Sequence, residues 1–133
     1  MVRALFALVA LVVVVGLVLV ASTGWLGAEH GPFDLTLIKI GAYGETWPDI
    51  HLTPEQAVDA HMKLRGDVLL PIHWGTFNLA FHAWDEPAER VVVAATAGGT
   101  RLVMPRPAES IEPATAPAVQ PWWHAVRKLR DGR

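Results

Sequence analysis

Two histidines stand where chemistry is easiest to arrange. His73 closes the run Val68-Leu69-Leu70-Pro71-Ile72 and is followed by Trp74-Gly75-Thr76-Phe77. A short run of leucine and β-branched residues makes a buried strand, and the aromatic, glycine and threonine after it make a shaped loop. An imidazole at such a strand end is dry and rigidly held. It suits metal ligation by a neutral nitrogen, with partner ligands drawn from other strand ends. A strand-end histidine bonded to backbone gives the same pattern, so this residue alone leaves both readings open. His51 lies in the aperiodic stretch Ala42 to Leu52, among Gly44, Trp47, Pro48 and Asp49. Aromatics and a histidine on a loop beside a strand end suit a binding loop, and an exposed loop with a stray histidine fits equally.

The elements around them must place these side chains. Phe33 to Ile40 reads as a strand ended by Gly41. Thr53-Pro54-Glu55-Gln56 starts a helix: Thr53 caps, Pro54 fits the first helical position and Gln56 closes a capping box. That helix runs to Leu64 or Arg65 and stops at Gly66, with Ala57, Val58, His61 and Met62 on its inner face. On that face His61 reads as a packing histidine rather than a ligand. Strand, helix, strand in this length makes the two strands parallel neighbours, and loops at their carboxyl ends hold the chemistry of such units. His51 and His73 both follow strand carboxyl ends, so they are expected close together at one edge. Asp85-Glu86-Pro87 opens a second helix with Val91, Val92, Ala94 and Ala95 inward, ended by Gly98-Gly99, and Thr100 to Met104 forms a last strand.

Composition narrows the function classes. The chain has 133 residues, 18% of them charged, and a formal net charge of −2. That balance argues against a surface that grips nucleic acid by its phosphates. Without cysteine there is no disulfide, thiolate ligand or thiol nucleophile, so any metal is held by histidines and carboxylates. Ala4 to Ala21 is eighteen uncharged residues, long enough to cross or nearly cross a hydrocarbon core. With Arg3 before it, residues 1–22 read as a single-pass signal anchor with a cytoplasmic N-terminus. The competing reading is a signal peptide cut near Ala21-Ser22, giving a secreted or periplasmic chain. Residues 23–32 read as a linker and 33–104 as the folded domain. Residues 105–133 read as a tail, Pro- and Ala-rich and without a core to join over 105–121, then ending in a short basic amphipathic helix at a membrane surface or in a frayed terminus.

Four segments in order carry a resemblance: Gly31-Pro32-Phe33-Asp34-Leu35, Ile40-Gly41-Ala42-Tyr43, His51-Leu52-Thr53-Pro54-Glu55-Gln56-Ala57-Val58, and Pro71-Ile72-His73-Trp74-Gly75-Thr76-Phe77. Together they resemble the C-terminal part of metallo-β-lactamase-fold hydrolases, in the group of the N-acylphosphatidylethanolamine-hydrolysing phospholipase D and its bacterial relatives. The resemblance implies an α/β (α+β) fold, a partial αββα half-sandwich, and the apolar run Ala4 to Ala21 adds an N-terminal transmembrane helix before it. It also implies zinc as the family's cofactor, bound by an HxHxDH motif, a further His, a bridging Asp and a final His. His73 matches that final ligand, and His51 matches a position that faces the substrate phosphate.

The departures are as specific. The chain contains no HxHxDH, and His30, His61, His82 and His124 do not have that spacing. The nearest counterpart of the bridging-aspartate segment is Ala21-Ser22-Thr23-Gly24-Trp25, with Ser22 at the aspartate position. The resulting expectation is a phosphodiesterase-like hydrolase chain that is truncated, does not retain zinc alone and is inactive alone, its missing half supplied by a separate chain. The alternative is a membrane-anchored remnant or interaction module without catalysis.

Overall fold

The computed structural model describes residues 22–77 and 79–132. Residues 22–30 are helical (α1). Then follow β1 (Phe33–Lys39), α2 (Pro54–Leu64), β2 (Gly66–Ile72), α3 (Glu86–Ala97), β3 (Arg101–Leu102), a 3-10 turn (Pro113–Thr115) and α4 (Trp123–Asp131). The three strands form one parallel sheet in the order β1-β2-β3. Leu35 lies beside Val68, Lys39 beside Ile72, and Val68 beside Arg101.

Helices α2 and α3 form as their sequences require. The Thr53 hydroxyl accepts the Gln56 N–H while the Gln56 side chain accepts the Thr53 N–H, closing the capping box, and Pro54 occupies the first turn. Arg65, in the left-handed region with φ 57°, ends α2. Both helices lie on one sheet face, where Ala57, Val58, Ala88, Val91 and Ala95 pack with Ile40 and Leu69 in a buried cluster. His61 is buried and serves packing, with its Nδ1 hydrogen-bonded to the Thr36 hydroxyl at 2.7 Å. Met62, expected on the inner face, is instead exposed, because Val58 and His61 already fill the space over the sheet.

Other expectations need correction. The stretch read as a linker is helical over 22–30. It approaches the end of α2 so closely that a Cβ on Gly27 would lie 2.0 Å from the Lys63 carbonyl oxygen. The basic end, read as a membrane-surface helix or a frayed terminus, joins the core: Trp123 is fully buried in the same cluster as Val91 and Leu69. Two tryptophans supply the apolar area that the Pro- and Ala-rich stretch lacks, while Val126 and Leu129 of α4 stay exposed. The 3-10 turn crosses the outer sheet face, where the Arg101 guanidinium donates to the carbonyls of Pro113 and Ala114 at 2.8 Å each. At the carboxyl end of that face Leu37 and Ile72 remain exposed. The proposed transmembrane segment, Ala4 to Ala21, lies outside the described residues. Among the described residues no helix is long and apolar enough to cross a membrane.

Candidate functional site

The site is built where β1 and β2 end. The last ladder bond runs from the Ile40 N–H to the Ile72 carbonyl at 3.0 Å, and both chains then turn out of the sheet. His73 takes a left-handed conformation, φ 61°, which is uncommon for a residue with a Cβ, and it is exposed rather than dry as the strand end suggested. Opposite it, Gly41 leaves room: a Cβ there would lie 2.2 Å from the His73 carbonyl oxygen.

The loop bearing His51 is tied to the same strand end. Lys39 Nζ donates to the Ile50 carbonyl at 2.8 Å, the Trp47 indole N–H donates to the Ala42 carbonyl at 2.9 Å, and the Thr53 capping box fixes the other end. The two imidazoles meet as the strand-end rule requires, with ring centroids 5.2 Å apart and planes inclined at 35°. His51 Nδ1 is buried and has no hydrogen-bond partner among the described residues. Burial first, then the charges of Lys39 and His73, hold the His51 pKa below the ordinary histidine value, so the ring is neutral at neutral pH.

A third histidine, His82, borders this edge and was not singled out from sequence. Its Nε2 accepts the Ala42 N–H at 3.1 Å, which leaves Nδ1 to donate to the Ala83 carbonyl at 2.9 Å, and its ring stacks on Tyr43 at 4.3 Å. Both nitrogens are committed, so His82 is structural. Two concavities flank the pair. One, of about 620 Å³, is lined by His51, His82, Tyr43, Phe81, Glu86 and Arg90. The other, of about 210 Å³, is lined by His73, Trp74, Gly75, Phe77, His82 and Trp84.

The polar wall of the larger cleft is a closed network. Arg90 holds Glu55 through two bonds of 2.9 and 2.7 Å, reaches Glu86 at 3.3 Å and sits 4.7 Å over the Tyr43 ring. The Tyr43 hydroxyl donates to Glu86 at 2.7 Å. Burial and that bond push its pKa up to about 12, so it remains protonated at neutral pH. Tyr43 lies in one of the resembling segments, but Glu86 and Arg90 look like ordinary positions of a surface helix, and only the fold brings them here.

By type, two imidazoles suit zinc, and the orphaned His51 nitrogen is the kind of group that a bound ligand would satisfy. Number is the obstacle. A catalytic zinc takes about three protein ligands, and among the described residues no cluster of three histidines or carboxylates forms. The pair fits one part of such a site, not the whole.

Comparison with known proteins finds matches over a segment that includes both histidines. Residues 18–74 match the family model described as a beta-lactamase superfamily domain. The chain is 48% identical over 101 residues to an uncharacterized protein of Mycobacterium tuberculosis, a match covering 74% of this chain and 27% of that protein. It is 43% identical over 56 residues to the N-acyl-phosphatidylethanolamine-hydrolyzing phospholipase D 1 of Caenorhabditis elegans, covering 41% of this chain and 16% of that one. The chain thus spans about a quarter or less of the length of these relatives. Among solved structures, Igni18, a metallo hydrolase from the hyperthermophilic archaeon Ignicoccus hospitalis, superposes with a TM-score of 0.50 at 25% identity, covering 68% of this chain and 35% of that one.

Proposed function

Because the chain belongs to the metallo-β-lactamase superfamily of hydrolases, we propose that it supplies one side of a zinc-dependent phosphodiester-hydrolysing site. In this reading His73 is a metal ligand and His51 a contact to the substrate phosphate. Family and fold alone do not assign a reaction, so the proposal rests on the site. The observation that carries it is the pairing of His73 with a neutral His51 whose buried Nδ1 lacks a partner, 5.2 Å between rings. A neutral imidazole on a tethered loop can donate to a phosphoryl oxygen as charge grows there, with little reorganisation.

The remaining ligands come from outside this chain, since its sequence holds no HxHxDH. Exposed Leu37, Ile72, Phe77, Leu79 and Phe81 at or near the same edge are apolar surface on which a complementary segment would pack. The donor count also favours a second reading, a membrane-anchored remnant or interaction module without catalysis.

The test is hydrolysis of a simple aryl phosphodiester with added zinc, by the chain alone and with a complementary HxHxDH-bearing segment. The proposal expects no turnover by the chain alone, and turnover in the mixture that is lost in His73→Ala. Full activity of the mixture with His73→Ala would overturn it. Turnover by the chain alone, lost in the same variant, would make this chain an enzyme in its own right.

A further inference from the structure

The pocket around His73 has two aromatic walls, Trp74 and Trp84, and both are backed by the C-terminal helix. Trp74, the residue after His73, packs against Trp122 at 5.6 Å and edge-on against Trp123 at 5.7 Å. The Arg130 guanidinium lies 5.6 Å over the Trp84 ring. The helix is latched in turn. The Trp122 indole N–H donates to the Met104 carbonyl at 3.1 Å. One Glu89 oxygen accepts from Trp123 at 2.9 Å and Arg127 at 3.1 Å and lies 2.6 Å from His124 Nε2, while Arg127 also pairs with the nearly buried Asp85.

We infer that α4 is the positioning element of the His73 loop: Trp122 and Trp123 hold Trp74, and through it hold His73 in its left-handed conformation facing His51. Local forces do not do this. The left-handed region disfavours a residue with a Cβ, Gly75, Thr76 and Phe77 are exposed, and Trp74 is the residue of this loop that packs against the core. The family match ends at residue 74, so α4 lies outside it. The inference rests on the reading of His73 as a site residue, but its geometric content does not need metal or substrate.

The experiment is NMR of the full chain, reading the inter-ring NOE between the His51 and His73 imidazoles in wild type, Trp122→Ala, Trp122→Phe and Arg127→Gln. Trp122 is only half-buried, so its removal spares the centre of the core. The expected result is loss of the His51–His73 NOE in Trp122→Ala and its weakening in Arg127→Gln, with the NOEs between α2 and α3 intact and Trp122→Phe restoring the wild-type pattern. Two results would overturn the inference. One is an unchanged His51–His73 NOE in Trp122→Ala. The other is loss of the α2–α3 NOEs together with it in both Trp122→Ala and Arg127→Gln, which would make α4 a general core element. If zinc leaves His73 unaffected while the expected NOE pattern holds, the positioning stands and the metal reading falls.

Discussion

A Cβ on Gly41 would sit 2.2 Å from the carbonyl oxygen of His73, so the two strand-end loops touch backbone to backbone. Gly41→Ala must push them apart, and backbone cannot rotate away as a flexible side chain can. We expect a loss of about 1–3 kcal/mol in stability, the usual range for overpacking, with the His51 and His73 rings separated. Urea denaturation together with the inter-ring NOE measures both; an alanine variant of unchanged stability and spacing would contradict the close approach.

His73 itself is held against local preference. Its φ of 61° costs a residue with a Cβ about 1–2 kcal/mol, a strain that a site can carry when the surroundings enforce it. His73→Gly is therefore expected to unfold no more easily than wild type, and to gain up to about 1 kcal/mol, whereas His73→Val should lose stability. Thermal melts of the two variants separate strain from packing, and a clear loss in the glycine variant would show that the imidazole is a stabilising contact.

Buried His61 makes stability depend on pH. Burial lowers its folded pKa below the ordinary value of 6.5, with Asp67 opposing only in part, so the unfolded chain takes up a proton more readily than the folded one. Its contribution is fully present above pH 6.5 and is lost as pH falls from there through the lowered folded value. Denaturation midpoints between pH 8 and 5 should fall in wild type and fall less in His61→Gln; equal slopes would assign the dependence to other groups.

Much of this was legible in the sequence, for physical reasons. The capping box, the stop near Gly66 and the apolar strand before His73 are local signals, and the parallel pairing they imply brings His51 and His73 to one edge. The tail was not legible in the same way. Pro and Ala dominate residues 105–121, and no periodicity announces that Trp122 and Trp123 reach back to Trp74 and Val91; aromatic burial at that sequence separation is a tertiary event. Residues 22–30 misled because a Gly-rich stretch reads as a linker, whereas Gly27 and Gly31 are what allow the segment to approach the end of α2. The commitment of both His82 nitrogens was invisible for the same reason, since Ala42 and Tyr43 meet that ring only in the fold.

The Glu89 latch gives α4 an acid limit. Burial opposes the charge of Glu89, but the hydrogen bonds of Trp123 and His124 and the charges of His124 and Arg127 outweigh it and hold the pKa below the ordinary 4.5. The carboxylate's contribution is therefore present above about pH 4.5 and is lost as pH falls through the lowered folded value. Indole fluorescence should report release of Trp122 and Trp123 in that range. Glu89→Gln should remove the Glu89 share of that acid dependence, and a profile unchanged by the substitution would contradict it. Trp123→Ala should cost about 3–5 kcal/mol at neutral pH.

The central claim, that His73 is this chain's metal ligand beside a phosphate-facing His51, is tested most directly by titrating zinc into the chain labelled with 15N at histidine and following the ring nitrogens of all six histidines. The account predicts that a His73 nitrogen shifts first and saturably, that His51 follows because its ring lies 5.2 Å away, and that the zinc is lost on dialysis because the donor set is incomplete. Zinc that shifts His30 or His124 while His73 stays unmoved would contradict it.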